Sequence, residues 1–174
     1  MRKISSILFC TVLLATSAFA QEAKKPLSPP AKAEGTIGGR KITVDYSAPS
    51  KRGRKIMGEL VPYGEVWRTG ANAATTLKTD GDIMIGNVHV PAGAYSLYTI
   101  PGEKEWTLII NKQTGQWGTN YDEKQDLGRV KMNVKALPGS VETMAIDVKS
   151  SGAKSGNLVL SWENTQASVP VMVH

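Results

Sequence analysis

Along most of the chain beyond Lys41, apolar residues recur at every second position in runs of three to eight, and each run ends at Gly, Pro, Asn or Asp. A period of two sends alternate side chains to opposite faces of an extended backbone, so the pattern specifies strands and turns rather than helices. Gly38-Gly39 turns one hairpin into the strand Lys41 to Tyr46. Thr75 to Thr79 leads through Asp80-Gly81 to Asp82 to Ile85, and Gly86-Asn87 returns the chain into Val88 to Val90. Pro91 to Gly93 feeds Ala94 to Ile100, and Pro101 to Glu105 turns into Trp106 to Ile110. Arg129 to Ala136, Glu142 to Lys149, Asn157 to Trp162 and Ser168 to Val173 bring the expected total to about ten strands. The spacing predicts an all-β protein, a single antiparallel β-sandwich or closed barrel.

Two segments precede that domain. Arg2-Lys3, the apolar run Ile4 to Ala15 and Ala18-Phe19-Ala20 have the three parts of a secretory signal, which places residues 1–20 as a signal peptide cleaved before Gln21. Phe9 stands before Cys10 where a lipoprotein signal needs a small residue, and the run is too short to span a bilayer, so neither lipid anchoring nor membrane insertion is expected. Residues 21–33 carry Pro26, Pro29 and Pro30 and are expected to form an extended tether, with the β-sandwich domain at 34–174. The expected location is periplasmic or extracellular.

Cys10 is the single cysteine, and Phe9 and Phe19 are the two phenylalanines, so the expected mature chain has neither residue type. Cohesion must then come from a hydrophobic core, and the chain is long enough for one. Trp106 shares strand parity with Leu108 and Ile110, and Trp162 with Leu158 and Leu160, which assigns both rings to that core. Arg2 and Lys3 supply two units of the formal charge of +6, and Lys51-Arg-Gly-Arg-Lys55 matches the remainder as one local patch. Four charges without interleaved aromatics do not make a nucleic-acid surface.

Several chemistries lack their residues. His89 and His174 are the two histidines, too few for the common zinc sites, and His89 alternates with Val88 and Val90 as an outward-facing residue. Gly-x-Ser-x-Gly and phosphate-binding Gly-rich motifs are absent. Asp122, Glu123 and Asp126 lack the spacing of a calcium loop, and Asp80-Gly81-Asp82 is turn chemistry, whereas Glu59 and Glu65 remain open as a carboxylate pair. No cofactor is expected.

The long irregular regions Ala48 to Asn72 and Lys112 to Gly128 are where function is expected to sit. A short helical turn around Arg54 to Leu60 is a weak expectation against Gly53 and Gly58. Within Val66-Trp-Arg-Thr-Gly-Ala-Asn72, Arg68 directly follows an anchoring Trp67 and is either a ligand group or half of an ion pair with Glu59, Glu65 or Asp45. The candidate ligand residues are Arg68, Asn72, Tyr63, Arg54, Arg52 and Trp117, because guanidinium forks and amides hold carboxylates, phosphates and sulfates. Trp117 lies in Gly115-Gln-Trp-Gly-Thr-Asn-Tyr121, where a ring is either a lid or a platform. The ligand expected is a small anionic or saccharide molecule.

Tyr46-Ser-Ala-Pro49, Arg54, Gly58, Val61-Pro-Tyr-Gly64, Val66-Trp-Arg-Thr-Gly-Ala-Asn72, Ala74-Thr75, Pro91-Ala-Gly-Ala-Tyr-Ser-Leu97, Ile100-Pro101, Trp106 and Asn111 form an ordered series that resembles the domain-of-unknown-function family numbered 2911. The resemblance runs from about Pro29 to the C-terminus and implies an exported bacterial β-rich domain, with no reaction or cofactor to carry over. Family members often have Glu where this chain has Ala73. A non-enzymatic ligand-binding or envelope interaction module is the favoured function. A metal-free hydrolase-like enzyme using Arg, Tyr and carboxylates, and a structural partner-binding domain, are the alternatives.

Overall fold

Gly38 and Gly39 take positive φ values of 55° and 78°, the geometry a two-residue hairpin turn requires, and they join β1 (Pro30–Ile37) to β2 (Arg40–Ser47). The computed structural model describes residues 26–174, so the expected signal peptide and the beginning of the tether lie outside the described residues. β1 opens at Pro30 and pairs with β2 along its whole length. Ala31 to Ala33, expected in the tether, are therefore strand, and Pro30 stands at the strand's first position, where a missing N–H is tolerated.

The remaining strands are β3 (Thr75–Thr79), β4 (Ile83–Ile85), β5 (Val88–Val90), β6 (Gly93–Ile100), β7 (Glu105–Asn111), β8 (Asp126–Ser150) and β9 (Ser155–Met172). They form one nine-stranded antiparallel sheet in the order β1-β2-β3-β6-β7-β8-β9-β4-β5. The sheet is not closed, which corrects the barrel alternative. It folds back on itself instead: a Cβ on Gly35 of β1 would lie 2.6 Å from the carbonyl oxygen of Val148 in β8.

Nine strands replace the expected ten because four predicted strands merge into two and β1 is added. Pro138-Gly139 has the composition of a turn between Arg129 to Ala136 and Glu142 to Lys149, yet β8 continues through it. The β8–β9 register jumps from Ala136↔Thr165 to Val141↔Glu163 and again to Ala145↔Ser161. Bulges absorb residues that cannot pair, including the proline, and bend the strand without ending it. On the opposite strand Glu163 accommodates the bend at φ 53°.

The main core contains Trp106 and Trp162, each 1% exposed, as the strand parity predicted. β6 is covered on both faces. Tyr95 and Leu97 enter the main core, while Tyr98 joins a small second cluster with Ala74 and Ile109 beneath the connection from β7 to β8. That connection holds the single short helix of the described residues, the 3₁₀ turn Glu123–Gln125, capped by Asp122. The segment Arg54 to Leu60 contains turns and the isolated bridge Met57↔Val61 rather than a helical turn.

Candidate functional site

The connection from β2 to β3 is laid against the sheet by backbone bonds. Trp67 and Thr99 exchange N–H···O bonds of 2.7 and 2.9 Å, prolonging on β6 the ladder that β3 makes with it. Beyond this bridge the chain departs sharply, with Thr69 at φ 54° and Asn72 at φ 60°. A β-branched residue in the left-handed region is costly, and the surroundings hold it there. The Thr69 hydroxyl bonds that of Thr99 at 3.2 Å, and its carbonyl accepts from the Thr75 hydroxyl at 2.8 Å. The strain therefore falls on Thr69 and Asn72. At Gly70 the space is tight, since a Cβ there would come within 3.1 Å of the Ser47 carbonyl and of the Thr75 hydroxyl.

Trp67 is fixed from behind. Its ring stacks on Trp162 at 5.9 Å and 16°, and meets Trp106 edge-to-face at 6.3 Å and 83°. Arg68 is held from in front by the β7–β8 connection, where Gly118 donates to the Asn72 carbonyl at 3.0 Å and Gln116 accepts from Ala74 at 3.2 Å. A Cβ on Gly118 would overlap Arg68 Cδ and lie 2.7 Å from the Asn72 carbonyl, so the absence of a side chain leaves the channel in which the arginine stem runs.

Two cavities open on Arg68 and Trp67. The larger, about 580 Å³, is also lined by Asn72, Arg54, Trp162 and Leu27. The smaller, about 340 Å³, is also lined by Tyr98, Tyr121, Gly118 and Thr119. Neither lining contains a carboxylate. Arg68 Nε is buried and has no hydrogen-bond partner among the described residues. The three acids that could have paired with it lie elsewhere: Asp45 binds Lys32 and Lys78, Glu59 binds Lys55, and Glu65 is exposed.

The structure thus brings Arg68, Asn72 and Arg54 to one cavity. Arg54 reaches it with Nε and Nη2 already donating to the carbonyls of Lys51 and Ser50, at 3.0 and 2.8 Å. Arg52 lies outside, its backbone N–H on Glu142 at 2.7 Å and its guanidinium on the Leu27 carbonyl. Tyr63 is exposed and packs over Gly58, and Trp117, 55% exposed, bridges Ala73 through its backbone; neither lines a cavity at Arg68. The remaining basic side chains of the patch are engaged locally, Lys51 with Ser140 and Lys55 with Glu59.

Tyr98, Tyr121 and Trp162 were not anticipated as cavity residues. The one signal for Tyr98 is that β6 carries apolar residues at both parities, Tyr95 and Leu97 at one and Tyr98 and Ile100 at the other, which marks a strand covered on both faces. Tyr121 donates to Asp126 at 2.7 Å and accepts from Arg129 at 2.9 Å. Burial, reinforced by the bond to Asp126, pushes its pKa up to about 12. Burial also raises that of Tyr98. The Arg129 guanidinium is raised in turn by its bond to Asp126 and also holds Glu123. Asp126 further accepts from Asn111 Nδ2 at 2.9 Å, so the carboxylates of this loop are engaged in anchoring it.

The ordered set of turns, bridges and strands spans the segment matched by one family model, described as "Protein of unknown function (DUF2911)", over residues 28–171. The chain belongs to the DUF2911 family. No curated protein and no solved structure matches it. In this DUF2911 domain, no three His, Cys, Asp or Glu side chains among the described residues are placed to share a metal ion. Nor is any helix among them long and apolar enough to cross a membrane. The exposed His89 contacts Asp82 at 3.2 Å, far from Arg68 in the sheet order and beside the other cavity-lining histidine, His174.

Proposed function

We propose that this protein is an exported, periplasmic or extracellular binding module whose ligand is a small anionic molecule held by Arg68, with Asn72 and Arg54 on the same cavity wall. The observation that carries the reading is the buried Arg68 Nε without a partner, in a cavity wall that has no carboxylate. Arg68 is half-buried, and its enclosed Nε–H must recover a hydrogen bond; where the protein supplies no acceptor a ligand can. A cavity of about 580 Å³ has the size of a small-molecule site. An acid is favoured over a neutral sugar stacked on tryptophan, because Trp67 and Trp162 already cover one face of each other.

Arg68→Ala and Arg68→Lys test this. With no ion pair to break, Arg68→Ala is expected to cost less than about 2 kcal/mol, against about 3 to 5 kcal/mol for one end of a buried pair. Titration with phosphate and short carboxylates, read by tryptophan fluorescence, is expected to show binding by the wild type and none by Arg68→Ala. Arg68→Lys keeps the charge but loses the fork and is expected to bind weakly. Unfolding of Arg68→Ala with no anion bound by the wild type would instead make Arg68 scaffold.

A further inference from the structure

The larger cavity is cationic on part of its wall and apolar on most of the rest. Arg68 and Asn72 reach it from the turn that follows Trp67, and Arg54 from the loop before it. Leu27, Pro49, Leu60, Val61 and Trp67 line the same space. Of these, Leu27 is 72% and Leu60 46% exposed, two of the six large apolar side chains left exposed among the described residues. One exposed leucine needs no explanation, but two from segments distant in sequence, sharing one cavity with a guanidinium, form an apolar surface that a ligand can cover. Both stand on anchored backbone. The Arg52 guanidinium holds the Leu27 carbonyl, and Ala48 donates to the Pro29 carbonyl at 2.9 Å, which pins the N-terminal segment beside the cavity. Leu60 is carried by a closed turn in which Val61 donates to the Ile56 carbonyl at 2.9 Å and Gly58 to the Val61 carbonyl at 3.0 Å.

We propose that the ligand of Arg68 is an amphipathic acid, a monocarboxylate on an aliphatic chain, whose carboxylate meets Arg68 and Asn72 and whose chain covers Leu27 and Leu60 in the same cavity. The inference rests on the reading of Arg68 as a ligand group and names the body that carries the acid. An inorganic anion satisfies the guanidinium and leaves both leucines in water. A neutral hydrocarbon covers the leucines and leaves the Arg68 Nε–H without an acceptor. An acid with an apolar body answers both parts of the wall, and each methylene it buries adds affinity.

The test titrates wild type, Arg68→Ala and a double variant, Leu27→Ser with Leu60→Ser, against propionate, butanoate, hexanoate, octanoate, 1-hexanol and phosphate, followed by tryptophan fluorescence and calorimetry. The wild type is expected to gain about two- to fourfold in affinity per added methylene, and to bind hexanoate, at one per chain, at least about tenfold more tightly than phosphate or 1-hexanol. The double variant should lose most of the gain with chain length while keeping propionate within about twofold. Arg68→Ala should abolish propionate binding and weaken octanoate at least about tenfold. Equal affinity for propionate and octanoate overturns the apolar seat, and so does a gain with chain length that survives the double variant. Either result leaves the Arg68 reading standing provided that Arg68→Ala abolishes propionate binding. Binding of 1-hexanol as tight as that of hexanoate, unchanged in Arg68→Ala, overturns the Arg68 reading and the amphipathic acid with it. Failure of the wild type to bind any of these compounds also overturns both. Both leucines lie outside the buried core, so serine there is expected to fold, and the comparison of propionate with octanoate needs the wild type alone.

Discussion

Arg68 is positioned by a residue that has no side chain. Gly118 leaves room for the arginine stem, and its N–H closes on Asn72, so the β7–β8 connection and the Thr69 to Asn72 turn are locked together at that point. Gly118→Ala is expected to displace Arg68 and weaken binding of the carboxylate probes by at least about tenfold, at a stability cost of about 1 to 3 kcal/mol. Fluorescence titration beside thermal denaturation separates the two effects; unchanged affinity would mean that Arg68 does not need this channel. Tyr121 provides a pH signature. Its folded-state pKa of about 12 exceeds the ordinary value of 10, so between those values the unfolded chain releases a proton that the folded chain keeps. The stabilisation is complete below pH 10 and is lost as pH rises toward 12. Denaturant melts across this window should show a decline that Tyr121→Phe reduces.

At the scale of elements, tryptophans at different positions carry different loads. Trp106 on β7 is wholly enclosed and supports Trp67, whereas Trp117 stands 55% exposed on the β7–β8 connection. Trp106→Ala is expected to cost about 3 to 5 kcal/mol, and Trp117→Ala about 0.5 kcal/mol or less, measured by urea unfolding. A comparable loss from both would show that the connection is held by the Trp117 ring rather than by the bonds of Gln116 and Gly118. Strand parity was enough to place Trp106 and Trp162, because a period of two fixes which side chains share a face. It could not reveal that β8 and β9 continue through their bulges. Pro138-Gly139 has the composition of a turn, and only the pairing across β9 shows that the strand continues beyond it.

For the whole molecule, the decisive contact lies where the sheet folds back and β1 crosses β8. Gly35→Ala would place a methyl group 2.6 Å from the Val148 carbonyl, against backbone that cannot swing aside. A loss of about 1 to 3 kcal/mol is expected in a single cooperative unfolding transition, and a wild-type melting temperature would show that the ends of the sheet separate freely. Pairings such as Val44↔Leu77 and Met84↔Met172 join distant parts of the chain, so assembling the sheet depends on many non-local contacts at once.

By itself the sequence determined the all-β class, the Gly38-Gly39 hairpin and the inward face of β7, since each follows from local periodicity or from a backbone angle that one residue type adopts easily. It also marked Arg68 and Asn72 as polar residues beside an anchoring tryptophan. Tertiary structure decided that no acid lines either cavity at Arg68, and that Arg54 joins it while Arg52 and Tyr63 do not. These are facts about which distant segments meet, and a hydrogen-bond donor is free or satisfied only with respect to the neighbours that folding brings to it.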